Sequence, residues 1–315
     1  MADSWMRILR VELISTKLKS KLVIGDKPEE NLAMTISGSK YPAMLKDKGV
    51  ISIMNLDYST ILKIQLGEYY KIKIFAGYKG SNLGNPGCGF ELFNGSVAYI
   101  SVKIKSRYDW ETYINFASDV VAQYSQNRMN LAFNSSINVF TAIDYVCGAS
   151  GMKSYTIDPD LKKQFINQVN EYHDKAATIL DSVTMNEGTY LISSDGTDGN
   201  VVDVTSTRGK RIIKLNAELL PIINGNPTVS SDGLSITLLP LLNFKVGDII
   251  EIPNSIIDIS SNSAEAYNNG FNANYLDKNG RYMILEINYT LGNRSETYQY
   301  QIKGRALSII QQFEV

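Results

Sequence analysis

The stretch LPLLNFKVGDIIEIPN, Leu239 to Asn254, decides how the chain is read. Apolar residues lead into Gly247-Asp248, then into Ile249, Ile250 and Ile252, and a proline closes the run. Glycine beside an acid is a turn signal, and β-branched residues suit a pleated strand. The same grammar stands far upstream in ILKIQLGEYYKIKIFAG, Ile61 to Gly77, where Gly67-Glu68 precedes the candidate strand Tyr69 to Ala76. Each copy is followed by an Asn-Gly pair and a longer alternating run, FNGSVAYISVKIKS around Asn94-Gly95 and NGRYMILEINY from Asn279-Gly280. Asn-Gly predicts a hairpin turn, because both residues tolerate positive φ. The repeated order suggests an internal duplication, with two related antiparallel β-barrels flanking a different middle.

Working outward, RILRVELI at 7–14 predicts a strand with Leu9, Val11 and Leu13 on one face and Ile8, Arg10, Glu12 and Ile14 on the other. Further strands are expected at Ala33 to Ser37, Val50 to Leu56 and Ser59 to Gln65. GYKGSNLGNPGCGF is a long loop. TYINFASDVVAQYSQNRMNLAF, 112–133, fits helix and strand equally. SSINVFTAIDYVCG predicts a helix, with Ser135 or Ser136 as cap and Gly148 as stop, and Ile137, Phe140, Ile143 or Tyr145, and Cys147 near one face. A second helix is expected from Asp158-Pro159, because Leu161, Phe165, Val169, His173 and Ala177 recur every four residues. From Gly188 the chain returns to short β elements, ending in a hairpin whose return strand carries Tyr298, Tyr300 and Ile302 on one face. The expected class is mainly β with a smaller α/β middle region. The expected domains are a first barrel over 1–106, a mixed helical middle over 107–186, and a β-rich region over 187–315 holding the second barrel.

The 315 residues are enough for two or three domains with real cores. A hydrophobic fraction of 44% and a charged fraction of 20% exclude wholesale disorder. The formal charge of -1 supplies no global field for nucleic acid. Cys88 and Cys147 are too few for a disulfide framework or a zinc knuckle, and are expected to be free structural thiols in a reducing compartment. MADSWMRILRVELIS alternates charge with apolar residues, unlike a signal peptide, and no window reaches the roughly 18 uncharged apolar residues of a membrane span. Assembly in the cytoplasm is expected.

Chemistry is sparse. The single histidine, His173, excludes any two-histidine zinc site and leaves one possible base for a triad. SSDGTDGN brings Asp195 and Asp198 together, but an EF-hand starting at Asp195 would need glycine at Asn200 and glutamate at Ser206. TSTRGKRIIK, 205–214, is basic without the glycine run of a phosphate loop. Glu91, Asp109, Glu111 and Asp144 are candidates for paired-carboxylate chemistry only as any acid is. No catalytic, cofactor-binding or metal-binding residue is therefore assigned, and no enzyme activity is expected. Tyr69, Tyr70, Tyr78 and Tyr99, with Tyr282, Tyr289, Tyr298 and Tyr300, are either cross-strand packing or an interface, since tyrosine joins a large apolar area to one polar tip.

The ordered set WMRILRVELIS, LKDKGVISIMNLDYST, GEYYKIKIFAGYKG, FNGSVAYISVKI, SINVFTAIDYVCGASG, LPLLNFKVGDIIEIP and GRYMILEINYTLGNRSETYQYQIKG resembles the tail hub, or baseplate hub, proteins of bacteriophages and related injection machines. The resemblance covers most of the chain and implies two similar barrels with a smaller domain between them. It implies a homotrimer whose six barrels face the tail tube while a central spike or tail-tip protein docks opposite. A tape measure protein is a further implied partner, and DNA would pass through the ring without specific binding. The implied place is the virion tail or baseplate. Two other readings stay open: a carbohydrate-binding or carbohydrate-cleaving tail protein, and a tail tube or adaptor protein.

Overall fold

A computed structural model describes residues 7–15, 17–25, 32–41, 47–78, 89–118, 128–133, 136–149, 154–157, 165–166, 169–175, 190–194, 201–206, 211–215, 223–230, 233–259 and 276–307. The first unit holds β1 (Arg7–Ser15), β2 (Ser20–Ile24), β3 (Met34–Lys40), β4 (Lys48–Met54), α1 (Tyr58–Gln65), β5 (Lys71–Tyr78), β6 (Phe90–Ile104) and β7 (Trp110–Ala117). The middle holds β8 (Arg128–Phe133), β9 (Ile137–Asn138), α2 (Val139–Ala149), β10 (Ser154–Ile157), β11 (Phe165–Ile166), β12 (Val169–Lys175), β13 (Tyr190–Ser194) and β14 (Val201–Ser206). The second unit holds β15 (Ile212–Lys214), β16 (Thr228–Ser230), β17 (Gly233–Leu238), β18 (Ile249–Glu251), β19 (Asp258–Ile259), β20 (Arg281–Gly292) and β21 (Tyr298–Ala306). The protein is mainly antiparallel β.

One sheet runs through both units in the order β19-β16-β17-β21-β20-β3-β4-β7-β6-β5-β1-β2, with β18 beside β20 and β15 beside β18. Within it the first unit reads β3-β4-β7-β6-β5-β1 and the second reads β16-β17-β21-β20-β18-β15. Corresponding strands also follow the same chain order. The duplication suggested by the sequence is thus present in the topology. One step differs: β1 is antiparallel to β5, whereas β15 is parallel to β18.

The core follows from strand alternation. Leu9, Val11 and Leu13 are fully buried, and Ile72 and Ile74 from β5 and Ile51 and Ile53 from β4 join them. The buried residues of both units form one continuous hydrophobic cluster. With two sheets' worth of apolar faces merged, the transfer term is collected in one core rather than in two small ones.

The two Gly-acid pairs end different elements. Residues 59–65, expected as a strand, are helix α1: Asp57 Oδ2 accepts from the Thr60 N–H at 3.1 Å, and Ile61 and Ile64, three apart, are its buried residues. Gly67 and Glu68 close that helix, the Gly67 N–H donating to Ile64 O and the Glu68 N–H to Lys63 O, which needs the positive φ found at Gly67. Gly247-Asp248 instead completes a β-turn from Lys245, again with positive φ at the glycine. Its N–H groups and carbonyls reach β20: Gly247 N–H donates to Ile284 O, and Ile284 N–H donates to Asp248 O, both at 2.8 Å.

The Asn-Gly pairs also diverge. Asn279-Gly280 lies in a turn, closed by the Gly280 N–H donating to Asp277 O at 3.0 Å. Asn94-Gly95, expected as a hairpin turn, lies inside the continuous strand β6, paired with Lys73 and Ile72 of β5. Glycine is needed there for space, because a Cβ would sit 2.4 Å from Ala117 O and 2.7 Å from the Phe93 ring.

The ambiguous stretch 112–133 is strand at both described ends, in β7 and β8. β7 pairs with β4 and β6, so it belongs to the first unit. α2 forms where a helix was expected, but its cap is Asn138, whose Oδ1 accepts from the Thr141 N–H at 2.7 Å, and not Ser135 or Ser136. Gly148 lies within the helix, and Tyr145 is exposed while Val139, Ala142, Ile143, Val146 and Cys147 are buried. The second expected helix is replaced, among the described residues, by β11 and β12, which pair antiparallel with β9 and β8. A repeat of four residues matches one face of a helix and one face of a strand alike, and pairing partners distant in sequence select the strand.

Ile284 and Ile302 are buried at 0% and 1% exposure in the β20–β21 hairpin. Ile284→Asp and Ile302→Asp are each expected to cost about 3 kcal/mol or more by burying an unpaired carboxylate. Urea titration followed by tyrosine fluorescence checks it, and midpoints equal to the parent's would show these positions to be tolerant.

Candidate assembly site at the joint of the two units

The units meet along β20. Its first residues, Arg281 to Met283, pair with β18, and its last, Ile287 to Gly292, pair on the same edge with β3. The turn that follows, residues 293–297, is clasped by the first unit. Asn293 Oδ1 accepts from the Met34 N–H, and its Nδ2 donates to Leu32 O, both at 2.8 Å. Arg7 reaches the same turn, donating to Gly292 O at 3.1 Å and to Ser295 O, with its guanidinium 5.1 Å from the centre of the Tyr298 ring. The Tyr298 hydroxyl accepts from the Gly77 N–H at 2.9 Å and lies 2.6 Å from Ile8 O and 2.8 Å from Gly77 O, so it donates to one carbonyl at a time. Burial pushes its phenol pKa up, against the pull of the Gly77 hydrogen bond.

Tyrosines fill the space behind. Tyr282, Tyr289, Tyr298 and Tyr300 are all buried, and Tyr300 meets Phe90 of the first unit at 6.5 Å between centroids and Phe244 edge-on at 6.3 Å. Of the tyrosines offered by sequence as an interface, the last four are therefore core. Tyr69 and Tyr78 are partly buried against it, while Tyr70 and Tyr99 are exposed at 38% and 62%. Sequence reasoning missed Arg7 and Asn293 as members of the joint, and no local signal marks them, since their partners lie more than 250 residues away.

Charged groups at the joint have structural partners. Asp248 accepts from the Lys245 N–H at 2.8 Å and pairs with Arg211 at 2.5 Å, and Glu251 pairs with Arg281 at 2.9 Å and Lys214 at 3.4 Å. The described part of the basic stretch 205–214 is thus spent on neighbouring acids, as β15 and its flank. Glu91 lies 3.5 Å from Lys73. Asp109 accepts from Asn55 Nδ2 at 3.0 Å and Ser106 Oγ at 2.9 Å. Glu111 gathers Lys105 at 2.7 Å, Tyr113 at 2.5 Å and Ser52, and the Lys105 ammonium with these two hydroxyls holds its carboxyl down at about 2. Glu91, Asp109 and Glu111 lie on or beside the β6–β7 hairpin, whereas Asp144 lies on α2. Cys147 is a buried thiol outside any disulfide, and burial and the Asp144 charge push its pKa up to about 12. His173 lies in β12. Cys88, Asp195, Asp198 and Asn200 lie outside the described residues. Among the described residues no group of three or more His, Cys, Asp or Glu is placed to hold a metal ion, and no helix is long and apolar enough to cross a membrane.

Lys40 ends β3 at the joint, and Asp47 faces it beside β4, its Oδ1 accepting from the Tyr41 N–H at 2.8 Å. Loss of hydration outweighs that hydrogen bond and the Lys40 charge, and holds the Asp47 carboxyl up at about 7. Lys40 is pushed down by burial, with Lys245 and Glu91 also nearby.

No protein-family profile matches the sequence, and no curated protein matches it. Solved structures do match the fold. A 43 kDa tail protein of prophage MuSo2 from Shewanella oneidensis superposes with a TM-score of 0.56 at 6% identity, over 96% of this chain and 98% of that one. A tail protein from Neisseria meningitidis MC58 gives 0.56 at 8%, over 97% and 98%. An E. coli component of the type VI secretion system, described as structurally similar to the T4 bacteriophage tail proteins gp27 and gp5, gives 0.55 at 11%, over 88% and 74%.

Two expectations follow. Tyr298→Phe leaves the Gly77 N–H without its buried acceptor and is expected to cost about 1–3 kcal/mol, whereas Tyr289→Phe and Tyr300→Phe, whose buried hydroxyls have no protein partner, are expected to be neutral or stabilising. Chemical denaturation of the three variants tests that difference in sign. Because the folded Asp47 pKa is raised, its contribution is full below the unfolded value near 3.8 and is lost as pH rises through about 7. Asp47→Asn is therefore expected to gain stability over the parent at pH 8, with the gap closing by pH 4, and melting curves across that range showing a constant gap would refute it. Joined along β20 and matched over nearly its whole length, the chain has the fold of these phage tail and secretion-system proteins.

Proposed function

We propose that the chain is a structural hub of a phage tail or baseplate, joining the tail tube to a central spike or tail-tip protein and leaving a channel for DNA. The carrying observation is the duplicated strand order joined laterally into one sheet. A chain with two equivalent units meets a hexameric tube with three copies, since three chains present six units. In this reading each unit closes as a barrel in the assembled ring, and residues 1–106, 107–186 and 187–315 act as first barrel, middle domain and second barrel, with β7 attached to the first. The protein works as a homotrimer in the virion tail, assembled in the host cytoplasm, with a tape measure protein as a further contact in the tube. Its function is mechanical, and any cell-wall cutting belongs to a partner.

The fold likeness to tail and secretion-system proteins supports this reading. So does the near-neutral charge, since a conduit must not hold DNA tightly. The carbohydrate reading loses its main support, because four of the eight tyrosines that motivated it are core. A tube or adaptor protein would share the barrel but form rings of another order.

Light scattering across a concentration series is expected to give a mass near three times 35.1 kDa. A six-copy ring would favour the adaptor reading, and a monomer at tens of micromolar that binds neither tube nor spike protein would sink the hub.

A further inference from the structure

Asparagine followed by glycine is a chemical pair as well as a turn signal. The glycine amide nitrogen lies within reach of the asparagine side-chain Cγ, and a glycine has no Cβ to block the approach. Three Asn-Gly pairs fall among the described residues: Asn94-Gly95, Asn224-Gly225 and Asn279-Gly280. Attack needs a glycine N–H that is not held elsewhere and a peptide plane with room to turn into line. The three local backbones therefore decide which pair reacts.

Two of the pairs are held. The Val97 N–H donates to Tyr70 O at 2.7 Å, and stepping back by two along the β5–β6 ladder makes Gly95 and Ile72 a hydrogen-bonded pair, so the Gly95 N–H is committed to β5. Gly95 is also buried, and a Cβ there would collide with Ala117 O. The Gly280 N–H closes its turn on Asp277 O at 3.0 Å, while Asp277 Oδ1 accepts from the Asn279 N–H at 2.8 Å and the Arg281 N–H at 3.0 Å. Ile252 O presses on Gly280 where a Cβ would stand, so that peptide has no room to turn. Asn224-Gly225 differs on each count. Both residues are exposed, no atom lies within 4 Å of a Cβ built on Gly225, and among the described residues the Gly225 N–H has no partner. The Asn224 N–H donates to Thr237 O at 2.8 Å, which anchors that residue to β17 and leaves the next peptide in open space. The Asn224 side chain is restrained by one exposed hydrogen bond, from Nδ2 to Gln299 Oε1 at 3.0 Å.

We infer that Asn224 is a site of spontaneous deamidation, with hydroxide and water as the co-reactants. The Gly225 amide nitrogen gives its proton to hydroxide and forms a bond to Asn224 Cγ. The Cγ–Nδ2 bond breaks, the leaving nitrogen takes a proton from water and departs as ammonia, and a succinimide ring remains. Water then adds to one of the two ring carbonyls. Breaking the bond between Gly225 N and Cγ gives aspartate, and breaking the bond between Gly225 N and the Asn224 carbonyl carbon gives isoaspartate, whose main chain is one methylene longer. Either product adds a negative charge to a chain of formal charge -1. The charge appears in the turn where Asn226 Nδ2 donates to Asp258 Oδ2 at 2.8 Å, at the end of the sheet where β19 pairs with β16. A carboxylate at 224 also has no proton to give to Gln299 Oε1, so the surface tie to β21 is lost with the ammonia.

Peptide mapping by mass spectrometry of the full chain, kept at pH 8 and sampled over days, tests it. In the folded chain Asn224 is expected to gain one mass unit at least about tenfold faster than Asn94 or Asn279, because the other two nitrogens are held out of line. In concentrated urea the same three pairs are expected to react at rates that converge. Asn224→Gln, whose longer side chain would have to close a larger ring, is expected to lack the main acidic species that ion-exchange chromatography resolves in the aged parent. Three pairs converting at one common rate in the folded chain overturn the inference. So does an Asn224 that stays intact in the folded chain while the urea-unfolded chain reacts, or an Asn224→Gln variant that accumulates the same acidic species.

Discussion

Backbone groups on a strand edge must be paired or wetted, and β20 meets that requirement with two partners from opposite ends of the chain. Arg281 to Met283 are met by β18, and Ile287 to Gly292 by β3, more than 240 residues earlier. Ile284, between them, is held by the Gly247-Asp248 turn through both its N–H and its C=O. The change of partner falls between Ile284 and Ile287, and the ladder on the β21 side carries a register shift between Ile284 and Glu286. In the opening stretch Asp248 is used structurally: its N–H donates to Lys245 O, its C=O accepts from the Ile284 N–H, and its Oδ2 takes the Lys245 N–H and the Arg211 guanidinium.

This divided edge explains why the units share a core. Once β3 lies beside β20, the apolar faces of both units lie in one layer, and Tyr298, Tyr300 and Phe90 fill the seam. The seam is then locked from outside by Arg7 and Asn293, whose hydrogen bonds run to backbone carbonyls and amides. Backbone acceptors make the contact one of geometry, because a carbonyl is present whatever the side chain. Burial beside β3 also raises the Asp47 carboxyl, against the pull of the Tyr41 N–H and the Lys40 charge.

The first unit repeats the plan but leaves it unfinished. β6 is as long as its counterpart requires, its first half is sheathed by β5, and its second half ends in exposed Val102 and Ile104. A long edge strand with apolar side chains is what proteins avoid when nothing is to bind there. Among the described residues the joint inside the chain is filled, whereas the edge of β6 from Ile100 to Ile104 has no strand partner.

Much of this was legible from residue order. Alternation placed β1, β3, β4, β5 and the β20–β21 hairpin, because a period of two with one buried face leaves few alternatives. The echo between 61–77 and 239–254 announced the duplication now seen in strand order. What failed did so where local signals are ambiguous: an i, i+4 repeat suits helix and strand alike at 161–177, isoleucines hid α1 despite its Asp57 cap, and Asn94-Gly95 satisfies a steric demand from Ala117 and Phe93 and not a turn. The joint itself was illegible, since Arg7, Asn293 and Tyr298 act on partners more than 200 residues away. The sequence by itself determined the β class, which is written in local period, and the order of its strand-like runs suggested the doubled unit, although the turn pairs that carried the echo serve different ends in the two units. Only the tertiary structure decided that β3 pairs with β20 and that, among the described residues, the edge of β6 beyond Ser96 has no second strand, because strand pairing depends on backbone groups that every residue carries alike.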